Sequence, residues 1–250
     1  MITELSLFTG AGGGLLGTKL LGFTPVGYVE RNDHCQKQIR ARVIDGLLDD
    51  APIFGDIKTF IEEGYAGAYS GMVDIITAGF PCQPFAAGGF RLGQNDERNR
   101  WPETLECIRI VRPRGALLEN SAKIITHPYF GEILFGLASL GYACEWDVFS
   151  ACMFGAPQTR DRMFLLAYPD SEHGKKWVGS VADKRALPER DYRAVLENWM
   201  GTVSRNAGSG SGVADRVERT KAIGNGQVPV VVRNAWEYLS TAAYKHEQVV

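Results

Sequence analysis

Short apolar runs alternate with longer amphipathic stretches through the first 150 residues, and this alternation restricts the fold more than any other feature of the chain. "ELSLF" (4–8) is strand-like and leads into the glycine cluster "GAGGG" (10–14), after which "LLGTKLLGF" reads as a helix. "PVGYVE" (25–30), "PIFGDI" (52–57), "MVDIITA" (72–78) and "GALLEN" (115–120) are further strands. Helices are expected at 33–48, at 101–113 with proline in its first turn, and at 129–141. "YACEWDVFSA" and "RMFLLAY" are later strands. Strand and helix repeated in this way predict an α/β fold, a doubly wound and mostly parallel sheet with helices on both faces. Such sheets bind ligands beyond the carboxyl ends of their strands. Glu30, Asp56, Cys82 and Glu119 are all expected there.

Residues 170–220 break the pattern: they are polar, with a Gly/Ser run at 208–212 and little periodicity. This segment is expected to form a small irregular lobe, with 1–169 plus 221–250 as the main domain and "PVVVRNAWEYLSTAA" (229–243) as a helix packed back on it. Charge divides along the chain. Residues 1–154 hold 13 Lys and Arg against 18 Asp and Glu, whereas residues 155–233 hold 13 against 9. A small-molecule domain followed by a polyanion-facing region fits that division, as does an ordinary mixed surface. The five cysteines are odd in number and show no CxxC spacing, which argues for reduced thiols and against a disulfide framework or a structural zinc site. With no basic N-terminal region before an apolar core and no run of about 20 apolar residues, neither a signal peptide nor a membrane span is expected, and the expected compartment is cytoplasmic.

A strand, then Gly10, Gly12 and Gly13, then a helix brings backbone close to any ligand at the helix N-terminus. The run departs from the dinucleotide fingerprint G-x-G-x-x-G because Leu15 holds the last position. Glu30 can accept hydrogen bonds from ribose hydroxyls, and Asp56 from an adenine amino group. Together they describe a pocket for an adenosine-containing cofactor. In "GFPCQPF" (79–85), Cys82 stands just past a strand end on a turn stiffened by Pro81 and Pro84. An accessible thiolate there can act as a nucleophile. Cys107 and Cys144 read as core residues.

"GFPCQPF" resembles the nucleophile motif of the S-adenosylmethionine-dependent DNA cytosine-5 methyltransferases. The resemblance continues in the family's order: "LFTGAGG" is similar to the cofactor motif, "LLENSAKI" to the motif that supplies Glu119 and Asn120, "QTRDR" (158–162) to Q-x-R-x-R, and "AIGNGQVP" (222–229) to the closing motif with Asn225. It implies a class I methyltransferase fold and transfer of a methyl group to carbon 5 of a flipped cytosine, with Cys82, Glu119, Arg160 and Arg162 as catalytic residues. It further implies that S-adenosylmethionine is held by Phe8, Thr9, Gly10, Gly12, Gly13, Glu30, Arg31, Asp56, Ile57, Gly79, Pro81, Asn225 and Gly226, without a metal. Gln83, Asn120, Gln158, Arg98, Lys184 and Arg185 are the implied DNA contacts, with Lys175, Lys176 and Arg205 as further phosphate candidates. Residues 86–100 are expected to form a lid.

The implied partner is double-stranded DNA, with a cognate restriction endonuclease as a further candidate, and the implied state is a monomer. Departures from the family pattern are Ser6 for an aspartate, Ala86 for a serine and Ser121 for a valine. RNA cytosine methylation and a regulatory module without turnover remain alternatives. A nicotinamide oxidoreductase is disfavoured by Leu15 and has no use for Cys82.

Overall fold

The computed structural model describes residues 1–81, 99–155, 159–183 and 226–245. Among them, seven strands form one sheet: β1 (Ile2–Leu7), β2 (Phe23–Val29), β3 (Ile53–Phe54), β4 (Ile75–Gly79), β5 (Gly115–Ser121), β6 (Tyr142–Ser150) and β7 (Asp161–Pro169). Their order is β3-β2-β1-β4-β5-β7-β6. The first five strands pair in parallel, and β7 runs antiparallel between β5 and β6. Burial on both faces explains why the central strands read as apolar runs with no clean alternation.

Three hydrophobic clusters cover the sheet. On one face, β1, β4 and β5 pack against α3 (Ile57–Glu62), α4 (Tyr65–Ala68), α5 (Trp101–Val111) and α6 (Tyr129–Ser139) through residues such as Phe60, Ala66, Ile108 and Leu137. The opposite face carries α7 (Glu172–Asp183) and α8 (Pro229–Lys245), whose fully buried Trp236 meets Phe23 edge-on at a centroid distance of 5.1 Å. There α1 (Gly13–Leu20) packs against α8, and Leu15 and Leu16 join Ile39 of α2 (Asp33–Ile44) in a smaller cluster. Helices on both faces give the doubly wound α/β architecture expected from the alternation.

Local chemistry sets the helix starts. Asn32 caps α2 by accepting from Cys35 N at 3.0 Å, and Asp56 caps α3 by accepting from Lys58 N at 2.9 Å. Gly12, at φ 87°, supplies the left-handed turn from which α1 begins. No helix of the described residues is long and apolar enough to cross a membrane.

Two elements differ from the sequence expectation. β5 continues to Ser121 because β7 pairs with it as far as Ser121 opposite Arg162. Glu119 therefore lies within the strand, two residues before its end. Residues 172–183, expected to start an irregular lobe, form α7, with Trp177, Val178 and Val181 in the core beside α8. The remainder of that segment, from 184 to 220, lies outside the described residues.

Candidate active site

The strand order reverses between β1 and β4, and a crevice lies at the carboxyl ends of these strands, where doubly wound sheets place their ligands. It contains about 530 Å³ of empty space, partly open to solvent, and is lined by Phe8, Gly10 and Gly14 on one side and Gly79, Glu119 and Gly226 on the other.

The turn after β1 forms one wall. Phe8 adopts φ 52° and Gly10 φ 60°; a left-handed conformation is uncommon for phenylalanine and is held here by the surrounding turn. Thr9 is buried, and its hydroxyl donates to the Ser6 carbonyl at 3.1 Å, so this residue offers the crevice main chain only. The glycines have different duties. A Cβ at Gly10 would meet nothing within 4 Å, which leaves its backbone open to a ligand. A Cβ at Gly12 would instead lie 3.5 Å from Leu48. At Gly13 a Cβ would collide with the Gln227 carbonyl. Of the three glycines expected to face the cofactor, Gly12 thus serves the left-handed turn and Gly13 the close packing of Gln227.

Glu30 follows β2 directly and ties this wall together. Its Oε2 accepts from the Gly10 amide at 2.6 Å and its Oε1 from the Asn32 amide at 2.7 Å. Arg31 is exposed and lies 3.7 Å from Asp56, which also caps α3. Ile57 is buried beneath them. An adenosine-containing group fits this set: open glycine backbone at a helix N-terminus, a fixed carboxylate for a diol, and a second acid beyond the next strand.

The opposite wall carries Glu119. In the parallel register of β4 and β5, Gly79 lies beside Glu119, three residues before Cys82 in sequence. Glu119 is 9 % exposed, and each of its oxygens has a donor: Arg162 Nε lies 2.9 Å from Oε1, and Gln227 Nε2 donates to Oε2 at 3.3 Å. Arg162 faces Ser121 across the β5–β7 ladder, and Glu119 faces Phe164, so Glu119 and Arg162 are a diagonal cross-strand pair. Burial pushes the Glu119 carboxyl above the ordinary carboxylate range, while Arg162, Gln227 and Arg160 pull it back. Arg160 is itself held below the usual guanidinium value by burial first and by Arg162 second. Arg162 also donates to the Asp161 carbonyl at 2.8 Å.

Asn120, expected at the substrate, has internal partners instead. It is 2 % exposed, donates through Nδ2 to the Phe80 carbonyl at 3.1 Å, and accepts the Ser121 amide at Oδ1 at 2.8 Å. Phe80 is buried against Trp101, and Pro81 follows, half-buried. Lys175 and Lys176 lie on α7, where Lys176 pairs with Glu172. Cys82, Gln83, Arg98, Gln158, Lys184, Arg185, Arg205 and Asn225, with the lid expected at 86–100 except for Asn99 and Arg100, lie outside the described residues. Burial pushes the Cys107 and Cys144 thiols to about 12, consistent with their reading as core residues.

Two groups at the site were not singled out in the sequence. Gln227 stands inside "AIGNGQVP", but nothing in the sequence reports its distance from Glu119. Glu4 is 0 % exposed on β1, and both its oxygens take threonine hydroxyls that line the crevice: Thr18 at 2.6 Å and Thr77 at 2.5 Å. Its only outward signal was an acid in an apolar strand.

A parallel doubly wound sheet with an antiparallel strand inserted next to its edge, and a crevice at its switch point, defines the class I methyltransferase architecture. The chain belongs to the C-5 cytosine-specific DNA methylase family, whose model matches residues 2–247. It is 32% identical over 205 residues to the type II methyltransferase M.NgoMIV of Neisseria gonorrhoeae, covering 80% of this chain and 63% of that protein. To the type II methyltransferase M.CviJI of Paramecium bursaria Chlorella virus IL3A it is 31% identical over 179 residues, covering 71% of this chain and 46% of the relative. The chain therefore spans less than two-thirds of the length of these curated relatives. Among solved structures, the Dnmt2 methyltransferase of S. pombe superposes with a TM-score of 0.62 at 16% identity over 100% of both chains. A putative DNA modification methyltransferase encoded within an E. coli prophage gives a TM-score of 0.53 at 24% identity, over 68% of this chain and 47% of the other. At these identities the likeness is one of fold.

Proposed function

We propose that the chain methylates carbon 5 of cytosine in DNA, with Cys82 as a transient covalent nucleophile and S-adenosylmethionine as the methyl donor. The buried carboxyl of Glu119, held by Arg162 and Gln227 beside the strand that leads into Pro81-Cys82, is the observation that best supports this reading. Carbon 5 of cytosine is a weak nucleophile. Addition of the Cys82 thiolate to carbon 6 forms an S–C bond and moves the ring's electron pair towards carbon 5. Glu119 gives a proton to ring nitrogen 3 as the thiolate adds, which requires a carboxyl able to hold a proton near neutral pH. Burial provides that tendency. Arg160 and Arg162 hold the oxygen at carbon 2, where a guanidinium balances the charge that develops. Once carbon 5 has taken the methyl group, a base or water removes the carbon 5 proton, and the Cys82–carbon 6 bond breaks to release the thiolate. The target base must first leave the duplex stack, at a cost of a few kcal/mol.

S-adenosylmethionine, bound at the open Gly10 backbone, Glu30, Asp56 and Gly226, supplies an electrophilic methyl sulfonium. The bond between Glu30 and Gly10 sets the ribose acid and the glycine turn at a fixed separation. Asn225, Phe8 and Pro81 complete this pocket in the proposal, and Gln83, Gln158, Arg98, Lys184 and Arg185 meet the DNA.

Incubation with methyl-labelled S-adenosylmethionine and duplex DNA, followed by digestion to nucleosides, tests the reading. Labelled 5-methylcytosine is expected. Label found only in RNA, or none with cofactor binding intact, would replace it with the RNA or regulatory alternative.

A further inference from the structure

Gln227 makes one continuous connection across the crevice. Its Nε2 donates to Glu119 Oε2 at 3.3 Å, on the side of the carboxyl away from the Arg162 contact at Oε1. The same side chain is confined at both ends of its amide. A Cβ on Gly14, in the first turn of α1, would collide with Gln227 Oε1, and one on Gly79 would lie 2.9 Å from Nε2 and 3.0 Å from Glu119 Oε2. Its main-chain carbonyl rests on Gly13 in the same manner. Glycine at 13, 14 and 79 therefore provides the space that Gln227 occupies, and a side chain at 14 or 79 would displace its amide from Glu119.

We propose that Gln227 is a positioning residue for Glu119, holding the carboxyl in fixed relation to the glycine turn of the cofactor wall. The proposal rests on the reading of Glu119 as the acid that binds cytosine. An amide N–H can donate but not accept, so Nε2 favours the ionised carboxylate. It works with Arg162 and Arg160, the charged groups among the described residues that act on Glu119, against the upward push of burial. An apolar residue at 227 leaves Oε2 without this donor, raises the proton affinity of Glu119, and frees its plane to turn. Because the protonated acid is the working form, activity falls as pH rises through the Glu119 titration. Loss of Gln227 moves that alkaline limb upward.

The test uses the full chain with Gln227→Met, which keeps the length and removes the donor, and Gln227→Glu, which keeps the shape and adds a second carboxyl. Three quantities are measured: kcat and KM for S-adenosylmethionine on duplex DNA, the pH profile of kcat, and the Glu119 titration by 13C NMR of labelled glutamate, assigned by its disappearance in Glu119→Gln. For Gln227→Met, kcat is expected to fall about 10- to 100-fold, because the carboxyl is no longer held in its reactive orientation. KM for the cofactor should change little, and the alkaline limb and the Glu119 titration should both move up. Gln227→Glu should move the titration further in the same direction. An unchanged Glu119 titration in both variants overturns the proposal, as does a loss confined to KM, which would make Gln227 merely a wall of the cofactor pocket. Absence of methylation by the wild-type chain would count against the function proposed above, while the NMR titration would still decide whether Gln227 governs Glu119.

Discussion

Asn120 Nδ2 donates to the Phe80 carbonyl at 3.1 Å, joining the strand that carries Glu119 to the residue two before Cys82. Both partners are buried, so the bond is the described anchor for the approach to Pro81-Cys82. Asn120→Ala removes it and leaves the Phe80 carbonyl without that donor, a loss of about 1–3 kcal/mol in stability. In enzyme kinetics the variant should lose kcat by at least about tenfold, because the Phe80-Pro81 approach to the proposed nucleophile loses its tie to the strand that carries Glu119. Chemical denaturation and single-turnover assays measure the two effects separately.

Glu119→Gln keeps the shape of the side chain and removes the proton that the proposed reaction takes from it. The single-turnover rate should drop by about 100-fold or more. Cofactor affinity, measured by calorimetry, should change by only about 1 kcal/mol or less, since Glu119 lies on the opposite wall from Glu30. Equal losses in both would mean that Glu119 shapes the cofactor pocket and does not serve the base.

Glu4 should leave its own mark on stability. Burial raises its carboxyl to about 7, the hydroxyls of Thr18 and Thr77 pull it down, and Asp49 adds to the rise. The folded protein therefore binds this proton more tightly than the unfolded chain. The stabilisation is complete below about 4.5, decreases as pH rises, and is lost above about 7. The span corresponds to about 3 kcal/mol. Glu4→Gln should flatten this dependence, so that the variant gains stability relative to wild type between pH 5 and pH 8. Parallel denaturation curves for the two proteins across that range would show that Glu4 is not the source.

Gly17 lies where α1 meets α8, and a Cβ there would come within 2.6 Å of Val232 Cβ and 2.7 Å of the Pro229 carbonyl. Backbone must therefore shift in Gly17→Ala, at a cost of about 1–3 kcal/mol. A melting temperature lower by a few degrees is expected, and an unchanged one would mean that α8 has slack against α1.

The sheet was legible because its strands are apolar runs and the longer helices between them carry amphipathic stretches, whereas the short helix α3 and its Asp56 cap were not read from the sequence. Glu30 and the glycine turn could be placed for the same reason, since each adjoins a strand end. Interactions across long separations were not legible. Gln227 and Glu119 are 108 residues apart, and no local pattern brings them together. The extension of β5 to Ser121 depends on β7, and the burial of α7 depends on α8, which covers Trp177 and Val178 in a stretch that looks polar by composition. Asn120 illustrates the same limit. Its place in a motif suggested a contact with substrate, whereas its side chain serves Phe80.

The central claim is that Cys82 bonds to the target ring. Duplex DNA in which 5-fluorocytosine replaces the target base cannot lose the group at carbon 5, so the covalent complex accumulates. Incubated with S-adenosylmethionine and this DNA, the wild-type chain should give an adduct that survives denaturing electrophoresis and maps to the peptide containing Cys82, and Cys82→Ser should give none. An adduct of equal yield in Cys82→Ser, or active methylation of ordinary DNA by that variant, would contradict the account.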